Sequence, residues 1–190
     1  MAGIRRVSDL GASAFGVQEH GYTSGQYYGP HYPGTSNLTV SNERAYFQPF
    51  YNDKNQTFDR IAIRSGTSFS GTAIVRLGIY NNDVNTFLPS TVNLDAGTVS
   101  VTVASTTYAI TISHTLARGW YWLAFCQQGT APTTGNYSSG TSSVASLQQL
   151  NDSSFNIQLG WSQAGVTGAF SSVGSLSING QLPRVLLRTQ

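Results

Sequence analysis

Apolar and polar residues alternate with a period of two along much of this chain, and this pattern constrains the fold more than any other feature. The alternation is clear in VSVTV (99–103), YAITI (108–112) and FNIQLGW (155–161). Successive side chains of a β-strand point to opposite faces of the sheet, so each run predicts a strand with one buried face.

Further strands are predicted elsewhere in the chain. In AIVRLGIYNND (73–83), Val75, Leu77 and Ile79 point to one face while Arg76 and Tyr80 point to the other. Additional strands are expected near 44–51, around 61–63, and near 176–178 and 184–187. The run GWYWLAFCQ (119–127) would place apolar side chains on both faces of a strand. It therefore predicts a central strand that is covered on both faces.

About nine short strands, spaced by Gly, Asn and Ser clusters roughly every ten residues, predict an all-β protein with a single β-sandwich or jelly roll. Composition agrees, because only 9% of the residues are charged and 12% are aromatic. The one helix candidate is VASLQQL (144–150), which fits either a short helical turn or an exposed strand.

Residues 1–42 differ from residues 43–190, which we predict to form the sandwich. The early part is rich in glycine, proline and tyrosine and lacks sustained alternation, so it predicts an extended N-terminal arm that lies on another surface. Tyrosines are frequent at interfaces. The candidate particle-docking residues are Tyr22, Tyr27, Tyr28 and Tyr32, with packing on their own domain as the alternative.

Charge and targeting signals exclude several classes of partner. Ten basic and eight acidic residues give a net charge of +2 without a charged run, so neither nucleic acid nor a membrane surface is expected as a partner. The sequence has no signal-peptide pattern and no membrane-length apolar segment, so synthesis in the cytoplasm is expected. The single cysteine, Cys126, lies in an apolar run and predicts a buried, inert thiol.

Sequence templates for catalysis are not matched, and no cofactor is expected. The chain has no nucleophile elbow, zinc-protease pair, phosphate-binding loop or dinucleotide fingerprint, and its three histidines are widely spaced. Carboxylates distant in sequence remain available to converge in space. They are Asp53, Asp59, Asp83, Asp95 and Asp152. We expect a noncatalytic protein and assign no metal ligands.

The strand 73–80 is followed by an amide-rich, acidic loop that contains Asn81, Asn82, Asp83 and Asn85. Asn and Asp favour tight turns because their side chains bond to nearby backbone, and their oxygens also suit calcium or sugar hydroxyls. A turn is the leading interpretation, with a glycan- or calcium-binding loop as the alternatives. Arg76 is expected to point outward and to reach a carbonyl or carboxylate group.

Several blocks in order resemble a recurrent β-sandwich module of tailed-bacteriophage virion proteins. They are GQYYGPHYPG (25–34), TFDRIAIR (57–64), VRLGIYNND (75–83), LDAGTVSV (94–101) and LARGWYWLAFCQQG (116–129), so the resemblance spans roughly residues 22 to 130. It implies a noncatalytic particle component located in the virion, either a head decoration protein or a minor tail or tail-fibre module.

The resemblance implies a homotrimer that binds capsid or tail proteins. Because no stalk precedes the sandwich, we expect a capsid decoration or cement protein that is bound through its N-terminal arm. The alternative is a tail-fibre or receptor-binding protein for host attachment, with aromatic side chains stacking on a host surface glycan.

Overall fold

The structure, a computed structural model, describes residues 21–30, 36–141 and 160–190. These residues form strands and connections without a helix, and the strands build two antiparallel sheets. The all-β sandwich that the alternation predicts is confirmed. The helix candidate 144–150 and most of the run 155–161 lie outside the described residues. The described part contains no helix that is long and apolar enough to cross a membrane.

Thirteen strands lie in the described part of the chain. They are β1 (Tyr27–Tyr28), β2 (Ser36–Thr39), β3 (Arg44–Asn52), β4 (Gln56–Ser70), β5 (Ala73–Asn82), β6 (Pro89–Val101), β7 (Thr107–Leu116), β8 (Gly119–Gln128), β9 (Thr134–Thr141), β10 (Gly160–Ala164), β11 (Ser177–Asn179), β12 (Gln181–Pro183) and β13 (Val185–Thr189).

One sheet has six strands in the order β11-β10-β3-β8-β5-β6. The other has seven, with β1-β13-β4-β9-β12 as its main path, β7 beside β4 and β2 beside β9. The long strand β4 pairs with different strands along its length. Its first part pairs with β13 and β7, and its second part, from Ser65 onward, pairs with β9.

The main core lies between the two sheets and consists of the side chains that point inward from each strand. Val75, Leu77 and Ile79 are fully buried there, as the alternation in β5 predicts. Large partners from the other strands include Phe58, Ile61, Ile63, Leu123, Phe125, Tyr137, Leu182 and Leu187. Burial of these apolar side chains is the main favourable term in the folding of such a sandwich.

A second apolar cluster lies on the outer face of the six-stranded sheet. Phe47, Trp122 and Cys126 point outward, and the connection 165–176 between β10 and β11 lies over them with Phe170. The connection is close enough that a Cβ at Gly78 would stand 2.7 Å from Phe170 Cδ2. Strand β8 is therefore central and covered on both faces, as its sequence predicts.

Two stretches of the predicted N-terminal arm are strands of the seven-stranded sheet. Strand β1 pairs with β13, and β2 pairs with β9. The connection before β1 is also anchored, because Gly25 N donates to Thr189 O at 3.0 Å. Within these stretches the chain lies on its own sandwich.

Candidate functional site

Three aromatic rings form a partly exposed group at one end of the six-stranded sheet, which we call the aromatic cluster (Tyr51, Phe87 and Trp120). The ring centroid of Trp120 is 5.0 Å from that of Tyr51 and 5.1 Å from that of Phe87. Exposed Arg118 donates from Nε to the Tyr51 hydroxyl at 3.0 Å. The cluster thus combines apolar ring surface with polar groups at its edge, which suits an amphipathic ligand.

Phe87 adopts an unusual backbone conformation that places its ring in this cluster. Its φ is 55°, in the left-handed region that bulky side chains rarely occupy. Such a conformation costs on the order of 1–3 kcal/mol and persists when surrounding contacts hold it. Here the contacts are the rings of Trp120 and Trp122, the latter at 5.9 Å, together with a hydrogen bond from Phe87 N to Asp83 O at 2.8 Å.

The turn before Phe87 is organised by Asp83. Its Oδ1 accepts the backbone N–H groups of Asn85 at 2.8 Å and Thr86 at 3.1 Å. The N–H of Asn85, followed by that of Thr86, lowers the pKa of the Asp83 carboxyl below its usual value. The chain therefore turns after Asp83, while Asn81 and Asn82 are the last residues of β5, and the glycan- and calcium-binding alternatives stay predictions.

The amides of Asn81 and Asn82 are used inside the protein. Asn82 Oδ1 accepts the indole N–H of Trp122 at 2.9 Å, and Asn81 bonds with Thr91 and Asn93 of β6 at 3.0 and 2.7 Å. No group of three or more His, Cys, Asp or Glu side chains that is suited to a metal ion occurs among residues 21–30, 36–141 and 160–190. Around this loop, the observed contacts are those of a structured turn against an aromatic cluster.

The predicted docking tyrosines divide into three groups. Tyr22 packs edge-on against Tyr28 and Phe58 and donates its hydroxyl to Asn52 Oδ1 at 2.8 Å, and Tyr28 is also partly buried. Tyr27 is 37% exposed on β1, with the Arg188 guanidinium carbon 6.0 Å from its ring centroid. Tyr32 lies outside the described residues. Among the three predicted docking tyrosines that the structure describes, Tyr27 is therefore the most exposed.

Two titratable groups with nucleophilic or basic chemistry are held in uncharged forms at neutral pH. Burial raises the pKa of the Cys126 thiol to about 12, and its Sγ lies 3.4 Å from Val166 O. Burial lowers the pKa of His114, whose Nε2 bonds with Asn93 Oδ1. Cys126 is buried, as its place in an apolar run predicts.

The aromatic cluster was not predicted from the sequence. Trp120 lies in the run 119–127, whose apolar residues on both strand faces indicate a buried strand. Phe87 follows a turn and belongs to no alternating segment. Tyr51 and Trp120 meet because β3 and β8 pair in a register that places them opposite each other. The available signal was the position of Trp120 at the beginning of its strand, next to Arg118 and Gly119.

Comparisons with protein-family models, with curated proteins and with solved structures found no match to this chain.

Proposed function

We propose that this chain is a noncatalytic accessory structural protein of a tailed-phage particle, a capsid decoration or cement protein that docks through its N-terminal segment. The proposal begins with the resemblance of five sequence blocks to a virion module. Four of these blocks include parts of β4, β5, β6 and β8, and the fifth includes β1. The resemblance therefore extends across both sheets of one sandwich.

The observation that carries the proposal is the placement of Tyr27. It stands 37% exposed on β1, at the end of the main path of the seven-stranded sheet. Among the described residues β1 pairs with β13 alone, so its other side offers backbone groups to an added strand. A partner that pairs with β1 and packs on Tyr27 would obtain both backbone hydrogen bonds and aromatic contact.

Decoration is binding chemistry, and it stabilises an assembled shell by bridging its subunits. We propose that the sandwich acts as a homotrimer, since a trimer matches the local threefold positions of an icosahedral lattice. In this proposal the protein is made in the host cytoplasm and resides in the virion. It binds to itself and to capsid proteins, without a cofactor.

Particle rebinding tests this proposal. Particles grown without the protein are mixed with purified wild type, Tyr27→Ala or Ile178→Ala and then sedimented. Ile178, which is 46% exposed on β11, is the control for the loss of an exposed apolar side chain on the other sheet. We expect saturable binding of wild type and Ile178→Ala, with binding of Tyr27→Ala weaker by about tenfold, as for an interface hot spot. Failure of wild type to rebind contradicts the proposal.

The aromatic cluster favours a second candidate function, host attachment through a surface glycan. Sugar rings stack on partly exposed aromatic side chains while hydroxyl groups bond to neighbouring polar groups. The cluster offers Tyr51, Phe87 and Trp120 beside Arg118 and the polar turn at Asp83.

Binding of host polysaccharide tests this second candidate. We expect Trp120→Ala to weaken binding by about tenfold or more, equivalent to the loss of at least about 1.4 kcal/mol. Trp161→Ala is the matched control, because Trp161 is a partly buried indole packed on the second apolar cluster outside this group. Equal binding by wild type and Trp120→Ala eliminates this role for the cluster.

A further inference from the structure

A polar depression of about 450 Å³ lies on the seven-stranded sheet, where β4 changes partners. Among the residues that the structure describes, nine line the depression, and each of these is polar or glycine and none is acidic. The side of the depression near β2 and β9 includes Asn37 and Ser138, while Thr67 and Ser105 belong to β4 and to the turn after β6. Two arginines, Arg64 and Arg184, complete it.

The two arginines are brought together by strand register. Val185, the first residue of β13, pairs with Ile63, and the residues next to this pair, Arg184 and Arg64, both line the depression. Like charges that lie close together repel each other. An anion bound between the two guanidinium groups would lower this repulsion.

Arg64 differs from the other arginines of the described chain. Arg76 and Arg188 pair with carboxylates, and Arg60 bonds to the Thr111 hydroxyl. The exposed Arg64 has no hydrogen-bond or ion-pair partner among residues 21–30, 36–141 and 160–190. Its guanidinium is therefore available for a ligand, and its planar donors match a carboxylate in two-point contact.

The floor of the depression is fixed by internal hydrogen bonds. Asn37 Nδ2 donates to Thr67 Oγ1 at 2.8 Å, and Ser105 N donates to Gly66 O at 2.8 Å. A Cβ at Gly66 would collide with the side-chain amide oxygens of Asn136 and Asn37, so a larger residue there would displace these two amides. The polar groups are thus held in place before a ligand arrives, which lowers the entropic cost of binding.

We propose that this depression binds an acidic saccharide, with the ligand's carboxylate on Arg64 and its ring hydroxyls on the surrounding hydroxyl and amide groups. The volume is in the range of small-ligand sites. Hydroxyl and amide side chains both donate and accept, as sugar hydroxyls do. The lining residues that the structure describes include none from the six-stranded sheet and none from β1, so the site is separate from the aromatic cluster and from Tyr27.

Titration of the full-length protein with sodium glucuronate, glucose and inorganic phosphate tests the proposal, using saturation-transfer NMR for contact and calorimetry for affinity. We expect glucuronate to bind at least tenfold more tightly than either glucose, which lacks the carboxylate, or phosphate, which lacks the ring. Arg64→Gln should lose this preference. Arg60→Gln, which changes an arginine of the same strand outside the lining, should keep it.

Three outcomes overturn the proposal. One is that glucuronate does not bind at tens of millimolar. Another is that phosphate binds as tightly as glucuronate, because the hydroxyl contacts would then contribute nothing. The third is that Arg64→Gln binds glucuronate like wild type. Because Arg64 is exposed, its substitution is not expected to unfold the protein, and a thermal melt equal to that of wild type confirms this.

Discussion

Arg76 Nη1 lies 2.9 Å from both carboxylate oxygens of Asp95 on the outer face of the six-stranded sheet. Asp95 Oδ2 also accepts the backbone N–H of Phe170 at 3.1 Å, and Arg76 Nε donates to Gln128 Oε1 at 3.1 Å. Gln128 Nε2 in turn donates to Val166 O at 3.1 Å and to Gly168 O. One ion pair between β5 and β6 therefore fixes the 165–176 connection over the second apolar cluster.

Replacement of Asp95 should weaken the attachment of the 165–176 connection to the six-stranded sheet. Asp95→Asn removes the charged acceptor that serves both Arg76 and Phe170, at an expected cost of about 1–3 kcal/mol in unfolding free energy. We also expect faster hydrogen exchange at the Phe170 amide. The control is Asp59→Asn, which breaks the pair with Arg188 on the other sheet and should leave exchange at Phe170 unchanged. Equal Phe170 exchange in Asp95→Asn and wild type contradicts the role of the ion pair.

Trp122 should be a major contributor to stability. It is 2% exposed beneath the connection, with its indole N–H bonded to Asn82. We expect Trp122→Ala to lower the free energy of unfolding by about 3–5 kcal/mol, through cavity formation and the loss of buried aromatic surface. Trp161→Ala should cost less because Trp161 is partly exposed. Equilibrium denaturation by urea checks both, and equal losses would show that burial under the connection is not the cause.

The Asp83 turn should contribute to acid sensitivity. Backbone N–H groups lower the pKa of this carboxyl in the folded protein, so its contribution is fully present above the unfolded pKa of about 3.9. The contribution is lost as the pH falls through the lower, folded pKa. Asp83→Asn should therefore lose less stability than wild type between pH 5 and pH 2 in urea titrations. A stability difference that is constant with pH would contradict this assignment.

The strand pattern of the sandwich could be predicted from the sequence because burial of one face imposes alternation directly. Val75, Leu77 and Ile79 are core, and Arg76 points outward to a carboxylate, as its position among aliphatic residues indicates. The central position of β8 could also be predicted, since residues on both of its faces are apolar.

Features that depend on contacts between distant segments could not be predicted. The 165–176 connection has no periodicity, and its place over Trp122 depends on backbone hydrogen bonds and on Asp95. Likewise, Arg64 and Arg184 are 120 positions apart, and only the pairing of β4 with β13 brings them together. Local sequence patterns carry no information about such register.

We predict that the protein self-associates, because an edge strand of the seven-stranded sheet lacks the usual protection by charge. The outward row of β7 has no charged residue, since it consists of Thr107, Ala109, Thr111, Ser113 and Thr115. Natural monomers usually protect an edge with charge, proline or a covering segment. We expect a homotrimer of about 61 kDa, three times the 20.4 kDa subunit, in sedimentation equilibrium at micromolar concentration. A monomer across this range would contradict the prediction.

Cryo-electron microscopy of intact phage particles that carry this protein tests the central proposal most directly. The account predicts threefold-symmetric density on the outer capsid surface at local threefold positions, with Tyr27 and β1 of each sandwich facing the shell. Density for the sandwich confined to the tail tip would contradict decoration and favour the glycan-binding candidate. Particles that lack the protein altogether would contradict any structural role in the virion.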